Sequence, residues 1–131
     1  MNVHLKSVAE ACTKGSEDGS LTFPGVLGKL IEAGMEGYYA DLRRATRVYY
    51  LPSGESIETG CESVDVPVAE IFEPAAVEAA VRQSQANAHT YKDFCKKVMA
   101  AGCAGYLVSL PGRRVVYFGR TAETHVEHFP A

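Results

Sequence analysis

Apolar positions along the chain follow two rhythms, one helical and one of period two, and the change from the first to the second happens twice. Val3, Leu5, Val8, Ala9 and Cys12 form a one-sided stripe that predicts a helix over residues 3–14. Gly15, Asp18, Gly19 and Ser20 then predict a loop. Thr22 is placed to cap a second helix, with Pro24 in the first turn, where its missing N–H is not needed. Val26, Leu27, Leu30, Ile31 and Ala33 supply the apolar face of that helix. Gly34 ends it, because glycine best supplies the left-handed residue after a helix. Aromatic and β-branched runs at 37–42 and 46–50 predict a hairpin, and 55–59 a short third strand after the turn Pro52-Ser53-Gly54. Residues 60–73 read as an irregular connector, since Pro67 opposes a central strand. An alanine-rich helix at 74–86 follows, then a helix over 91–101 capped by Thr90 and stopped by Gly102. A hairpin through Pro111-Gly112 and a last strand at 123–129 end the chain.

The second passage repeats the first. Displaced by 68 positions, Gly34 falls on Gly102, Phe23 on Tyr91, Leu30 on Val98 and Tyr38 on Tyr106. Val48 falls on Val116, Tyr49 on Tyr117 and Tyr50 on Phe118, and no gap is needed. The matches fall on apolar, aromatic and turn-glycine positions, which set a fold. The expected fold class is α+β with antiparallel sheets: an internally duplicated helix plus three-stranded unit, at about 22–59 and 90–127, with the two halves about a pseudo-twofold axis. The N-terminal helix and the 60–89 connector and helix belong to the same single domain, 1–131.

Reading Pro111-Gly112 as a two-residue loop sets Tyr106 opposite Tyr117 and Val108 opposite Val115. Alternation then puts Leu107, Ser109, Arg114, Val116 and Phe118 on the other face. Thr124 and Val126 are expected on the Tyr106 face, and Glu123, His125 and Glu127 on the opposite one. The first-half counterparts of that second face are Tyr39, Asp41, Thr46, Val48, Tyr50 and Ile57. One face is largely apolar and should carry the helices. The other is mixed and has two readings: a partner or ligand surface, or a solvated face with scattered apolar residues. A register error of one residue would exchange the faces.

Composition narrows the function classes. The chain has 131 residues, a formal charge of −3 and nearly half its residues apolar. Such a length buries roughly two-thirds of its unfolded surface and needs no staples. No apolar run reaches the about 20 residues of a membrane span, and Met1 to Lys6 lacks the apolar core of a signal peptide. The expectation is therefore a cytoplasmic protein with no membrane contact. Nucleic acid is not an expected partner, because the basic residues at 43–47 and 113–114 form only small hairpin-tip clusters. Cys12, Cys61, Cys95 and Cys103 include no Cys-x-x-Cys pair and read as reduced thiols, with Cys95 and Cys103 as small buried hydrophobes.

Candidate chemistry is sparse. His125 and Glu127, with Glu123, share one side of the last strand, but no tetrahedral ligand set is visible and no metal is assigned. His125 and His128, three apart on a strand, point to opposite faces. No cysteine has an evident base beside it, and Cys103 follows a helix end, where the dipole disfavours a thiolate. No glycine-rich phosphate loop joins a strand to a helix, so no cofactor is expected. Tyr38, Tyr49, Tyr106 and Tyr117 occupy equivalent places around the expected axis, either as core with hydroxyls at its margin or as the lining of a ligand pocket.

Phe23-Pro24, Gly34, Tyr38, Tyr49-Tyr50, Gly54, Tyr91, Phe94, Gly102, Val115, Tyr117, Glu127 and the ending Phe129-Pro130 resemble a small bacterial family of unknown function. Some of its members are labelled phage envelope protein. The resemblance covers most of the chain and rests on structural residues. It implies an acidic residue on the first strand of each hairpin; Asp41 keeps it, but Ser109 stands at the matching place, which departs from a symmetric two-carboxylate site.

The sequence therefore points to a non-enzymatic binding or interaction module. Its candidate ligand or interface residues are Tyr39, Asp41, Arg47, Leu107, Arg114, Val116, His125 and Glu127. An isologous homodimer through a sheet face or edge is expected, with Val116 central and Arg114 at the rim. An unidentified protein or small molecule is the other class of partner. The alternative function is a small-ligand sensor or enzyme with a tyrosine-lined pocket near the axis, using Tyr side chains with Asp41, Arg47 or His125.

Overall fold

A computed structural model describes residues 3–129; the Met1–Asn2 start and Pro130 of the closing motif lie outside them. The order is α1 (Val3–Asp18), α2 (Phe23–Glu32), β1 (Gly37–Asp41), β2 (Thr46–Tyr50), β3 (Ser56–Gly60), then α3 (Pro74–Gln85), α4 (Tyr91–Ala100), β4 (Cys103–Ser109), β5 (Arg114–Gly119) and β6 (Thr124–His128). The six strands form one antiparallel sheet in the order β3-β2-β1-β4-β5-β6. The α+β class is therefore as the sequence indicates.

Local signals act where the chain places them. The Thr22 hydroxyl accepts from Gly25 N at 3.2 Å, and Thr90 with Asp93 forms a reciprocal capping box on α4. Gly34 and Gly102 end their helices at φ +77° and +89°. Left-handed residues also recur at Ala45 and Arg113, and at Gly54 and Ala122, again 68 apart. The registers follow the same displacement: Tyr38 pairs Tyr49 as Tyr106 pairs Tyr117, and Val48 pairs Glu58 as Val116 pairs Val126.

Among the described residues the helices lie on one face of the sheet, over Tyr38, Tyr49, Tyr106 and Tyr117. α1 packs on the β3 side and α3 on the β6 side. The core between helices and sheet holds Val26, Leu30, Tyr38, Tyr49, Val77, Val98, Val108 and Val115, with Cys12 and Cys103 among them.

Four expectations are corrected. First, α1 runs through Gly15 to Asp18 rather than ending at Lys14. Leu21 folds back so that its N donates to Gly15 O at 3.0 Å and its side chain fills the space a Cβ on Gly15 would need. Glycine here serves close packing, not a loop. Second, the β4–β5 connection is wider than two residues. Ser109 and Arg114 are its last pair, and Arg113 takes the left-handed conformation. Third, His125 pairs with Tyr117 and Glu127 with Val115, so both stand on the helix-covered face. Ile57, opposite Tyr49, does the same in the first half and is buried. Thr124 and Val126 occupy the open face instead. The turns before β3 and β6 contain one residue more than the alternation assumed, and a single step exchanges faces. Fourth, Arg47 is not at a solvated hairpin tip. It pairs with Ala40 and Thr59 on the helix-covered face and is 1% exposed.

Candidate functional site

Two places on this scaffold carry features beyond packing. The first is the helix-free face. The pairing registers align Glu58, Val48, Tyr39, Leu107, Val116 and Val126 in one row across all six strands. Strands about 4.8 Å apart make the apolar part of that row, Val48 to Val126, about 19 Å long. Leu107, at its centre, is 43% exposed. Tyr50 and Phe118 flank the row at opposite corners. The Tyr39 and Phe118 rings stack at 5.8 Å and 12°, reaching across Gly105. A Cβ on Gly105 would come within 3.0 Å of the Phe118 ring edge and the Tyr39 hydroxyl, so the missing side chain makes room for the stack.

Charge on this face is asymmetric. Asp41 and Glu58 lie on the β1–β3 half, and Arg114 with His128 lies on the β4–β6 half. Asp41 also shapes its own surroundings. Its Oδ1 accepts from the backbone N of Arg43 and Arg44, both at 3.1 Å, and closes the β1–β2 turn. Of the sequence candidates, Tyr39, Asp41, Leu107, Arg114 and Val116 come together here, whereas Arg47, His125 and Glu127 do not.

His125 and Glu127 sit at the β6 margin under α3. A carboxylate can only accept, so His125 Nε2–H donates to Glu127 Oε2 at 2.6 Å, and Arg82 Nη1 donates to Oε1 at 2.9 Å. Burial raises the Glu127 pKa, but these two donors outweigh it and hold the carboxyl below its ordinary value. The group ties α3 to the sheet edge. Glu123 precedes β6 and accepts from Thr121 instead.

The second place is buried. The Arg47 guanidinium lies 4.9 Å from the Tyr38 ring centroid and 5.0 Å from that of Tyr91. Its Nη1 donates to Tyr49 Oη at 3.2 Å, and its Nε has no hydrogen-bond partner among the described residues. The ion pairs found among the described residues do not include Arg47. Hydroxyls surround it: Tyr91 Oη and Tyr106 Oη are 2.7 Å apart, and Tyr49 Oη, Thr13 Oγ1 and Thr59 Oγ1 form a chain with steps of 2.8 and 2.7 Å. Burial pushes the phenols of Tyr38, Tyr91 and Tyr106 well above their ordinary values, so they are neutral and offer π faces and hydroxyls rather than charge. Three of the four equivalent tyrosines, Tyr38, Tyr49 and Tyr106, thus belong to a packed polar core around a cation. Arg47 was legible as a candidate, but not its burial; the one sequence signal was its place two residues before Tyr49, on the same side of a two-residue alternation.

A cavity of about 20 Å³ lies alongside, its lining including Leu42, Cys61, Val64, Tyr91, Cys95 and Met99. Burial raises the thiols there: Cys95 is pushed up to about 11 and Cys61 is also raised, against the opposing charge of Arg47. Neither is a ready nucleophile at neutral pH. No helix among the described residues is long and apolar enough to cross a membrane.

Residues 12–127 match the family described as Protein of unknown function (DUF1398), and the chain belongs to that family. It is also 32% identical over 104 residues to the uncharacterized proteins Rv2012 and MT2067 of Mycobacterium tuberculosis and Mb2035 of Mycobacterium bovis. Each match covers 69% of this chain and 63% of the mycobacterial protein, so the relatives extend beyond the shared part.

Proposed function

For a member of this family with these two features, we propose a non-enzymatic interaction module whose helix-free sheet face seats a second copy of the chain. The observation that carries the reading is the apolar row Val48, Tyr39, Leu107, Val116 and Val126 on a face that no helix of the described residues covers. Two sheets packed face to face place such rows about 10 Å apart and dry. Charge complementarity favours a second copy of the same chain. A twofold axis running along the strands sets the β1–β3 half of one copy over the β4–β6 half of the other, which brings Glu58 toward Arg114 and His128. The contact is isologous and closes as a dimer. The edge strands β3 and β6 have only five residues each, and short edges make poor pairing templates, so the face is favoured over the edge.

The shared registers and left-handed positions support reading the two halves as copies of one unit. Four free thiols support a reducing compartment such as the cytoplasm. The phage wording attached to the resembled family forms no part of the proposal. Light scattering tests the dimer. Wild type should have twice the chain mass at micromolar concentration, and Val116→Glu should have the mass of one chain. A monomeric wild type ends the proposal.

A further inference from the structure

We propose that Arg47 is the anchor of a binding site for a small monocarboxylate, reached through the cavity behind Tyr91. This site is independent of the sheet-face dimer, because it lies on the opposite side of the sheet, under the helices. The inference starts from an unbalanced group. Arginine keeps its charge in proteins, and Arg47 is 1% exposed, has an Nε with no partner and takes no part in the ion pairs found among the described residues. A buried cation of this kind calls for a compensating anion. The neighbouring phenols and thiols are held neutral by burial, so none of them supplies it.

The surroundings indicate which anion fits. Tyr91 is the shared wall: one face of its ring lies against Arg47, and the same residue lines the cavity. The lining includes Glu62 and is otherwise mainly apolar, through Leu42, Val64 and Met99, which suits a short hydrocarbon tail. Glu62 also lines the adjoining opening with Glu17 and Lys92, so a doubly charged anion meets more repulsion on the way in than a singly charged one. A single guanidinium compensates one negative charge. A carboxylate with a short tail meets these conditions, its oxygens taking the free Nε–H and a Tyr91 or Tyr106 hydroxyl. The cavity now has room for about one water, so binding requires the Tyr91 ring to swing on the first turn of α4. That restricts the ligand to the size of formate to butyrate.

The test is a thermal-unfolding titration of the full chain with sodium acetate, propionate and butyrate against sodium chloride at matched ionic strength, with sodium phosphate as a further arm. A ligand that binds only the folded state raises Tm with concentration. The expected result is a saturable rise with at least one carboxylate over chloride, and none with phosphate. Val64→Phe, which fills the cavity from the connector, and Tyr91→Phe, which keeps the ring but removes the hydroxyl, should each reduce that rise. The rise should persist in Val116→Glu, whatever its oligomeric state. No excess of any carboxylate over chloride in wild type overturns the proposal. So does an equal rise with phosphate, or a rise left intact in both cavity variants.

Discussion

Tyr39 pairs directly with Leu107 where β1 meets β4, and the two residues are also each other's counterparts at the 68-residue displacement. Any twofold axis that relates the two halves must pass between two residues that pair with each other and are each other's counterparts. The seam between the halves is thus a continuous ladder, not a crevice, and the centre of the sheet offers no cleft of the kind in which open α/β sheets bind ligands. What the seam does offer is the midpoint of an exposed apolar row on one face and a packed tyrosine cluster on the other. The buried Arg47 lies on that second face, paired with Ala40 one residue from Tyr39.

Gly34 and Gly102 end equivalent helices but should respond differently to alanine. At Gly34, φ is +77° and a Cβ would meet nothing within 4 Å. Alanine there costs the conformational strain alone, about 1 kcal/mol. At Gly102, φ is +89° and the Cβ would collide with the carbonyl oxygen of Ile71, on the connector leading to α3. Urea unfolding should show Gly102→Ala to be the more damaging by more than ~1 kcal/mol. Equal losses would mean that the connector yields freely.

Replacing Arg47 separates charge from shape. Arg47→Met removes one hydrogen bond to Tyr49 and two ring contacts, but also removes the desolvated charge. Apolar replacement of buried ionic groups is often neutral or stabilising, so the expected change is within ~1 kcal/mol of wild type. Arg47→Asp leaves a buried, unpaired carboxylate against neutral phenols and should lose ~3 kcal/mol or more. Denaturant midpoints of the two variants check the contrast. A large loss in Arg47→Met would show that the guanidinium holds the tyrosine cluster together.

The acid limb of stability should depend on Glu127. Its folded-state pKa is lowered from the ordinary 4.5, because the His125 and Arg82 hydrogen bonds outweigh burial. A depressed carboxyl contributes stability above its unfolded pKa and loses it as pH falls through the folded one. Glu127→Gln should therefore cost ~0.5–1 kcal/mol at pH 7 and nearly nothing well below pH 4.5. Tm measured against pH for both chains checks this: the two curves should converge on the acid side. Curves that stay parallel would remove the ion pair from the explanation.

Helices, caps, stops and the inner strand pairs were legible because each is set by local chemistry: Thr22 and Thr90 cap, Gly34 and Gly102 stop, and Tyr106 faces Tyr117. The faces of Ile57, His125 and Glu127 were not, because face depends on counting residues through a turn, and a left-handed residue at Gly54 or Ala122 absorbs one without leaving a pattern. Half of the open-face site was therefore readable, through Tyr39, Leu107 and Val116, but its outer column was misplaced. Burial of Arg47 was hidden for another reason. Its neighbours Arg43 and Arg44 are surface residues of the turn, and composition cannot separate the third arginine from the first two.

The charge asymmetry of the open face supplies the most specific test of the dimer. In the proposed stacking, Glu58 of one copy lies toward the partner half that carries Arg114. Arg114→Glu should weaken association, since like charges then face each other at the rim, and the effect should fade as salt rises. Glu58→Arg alone should weaken it similarly. Combined in one chain, the two changes restore opposite charges across the interface and should recover most of the loss. Dissociation constants from sedimentation for the four chains give the coupling energy, expected at ~0.5–1 kcal/mol or more per facing pair. Additive losses in the double variant would reject the strand-parallel axis, while leaving a dimer through Val116 to be judged by light scattering alone.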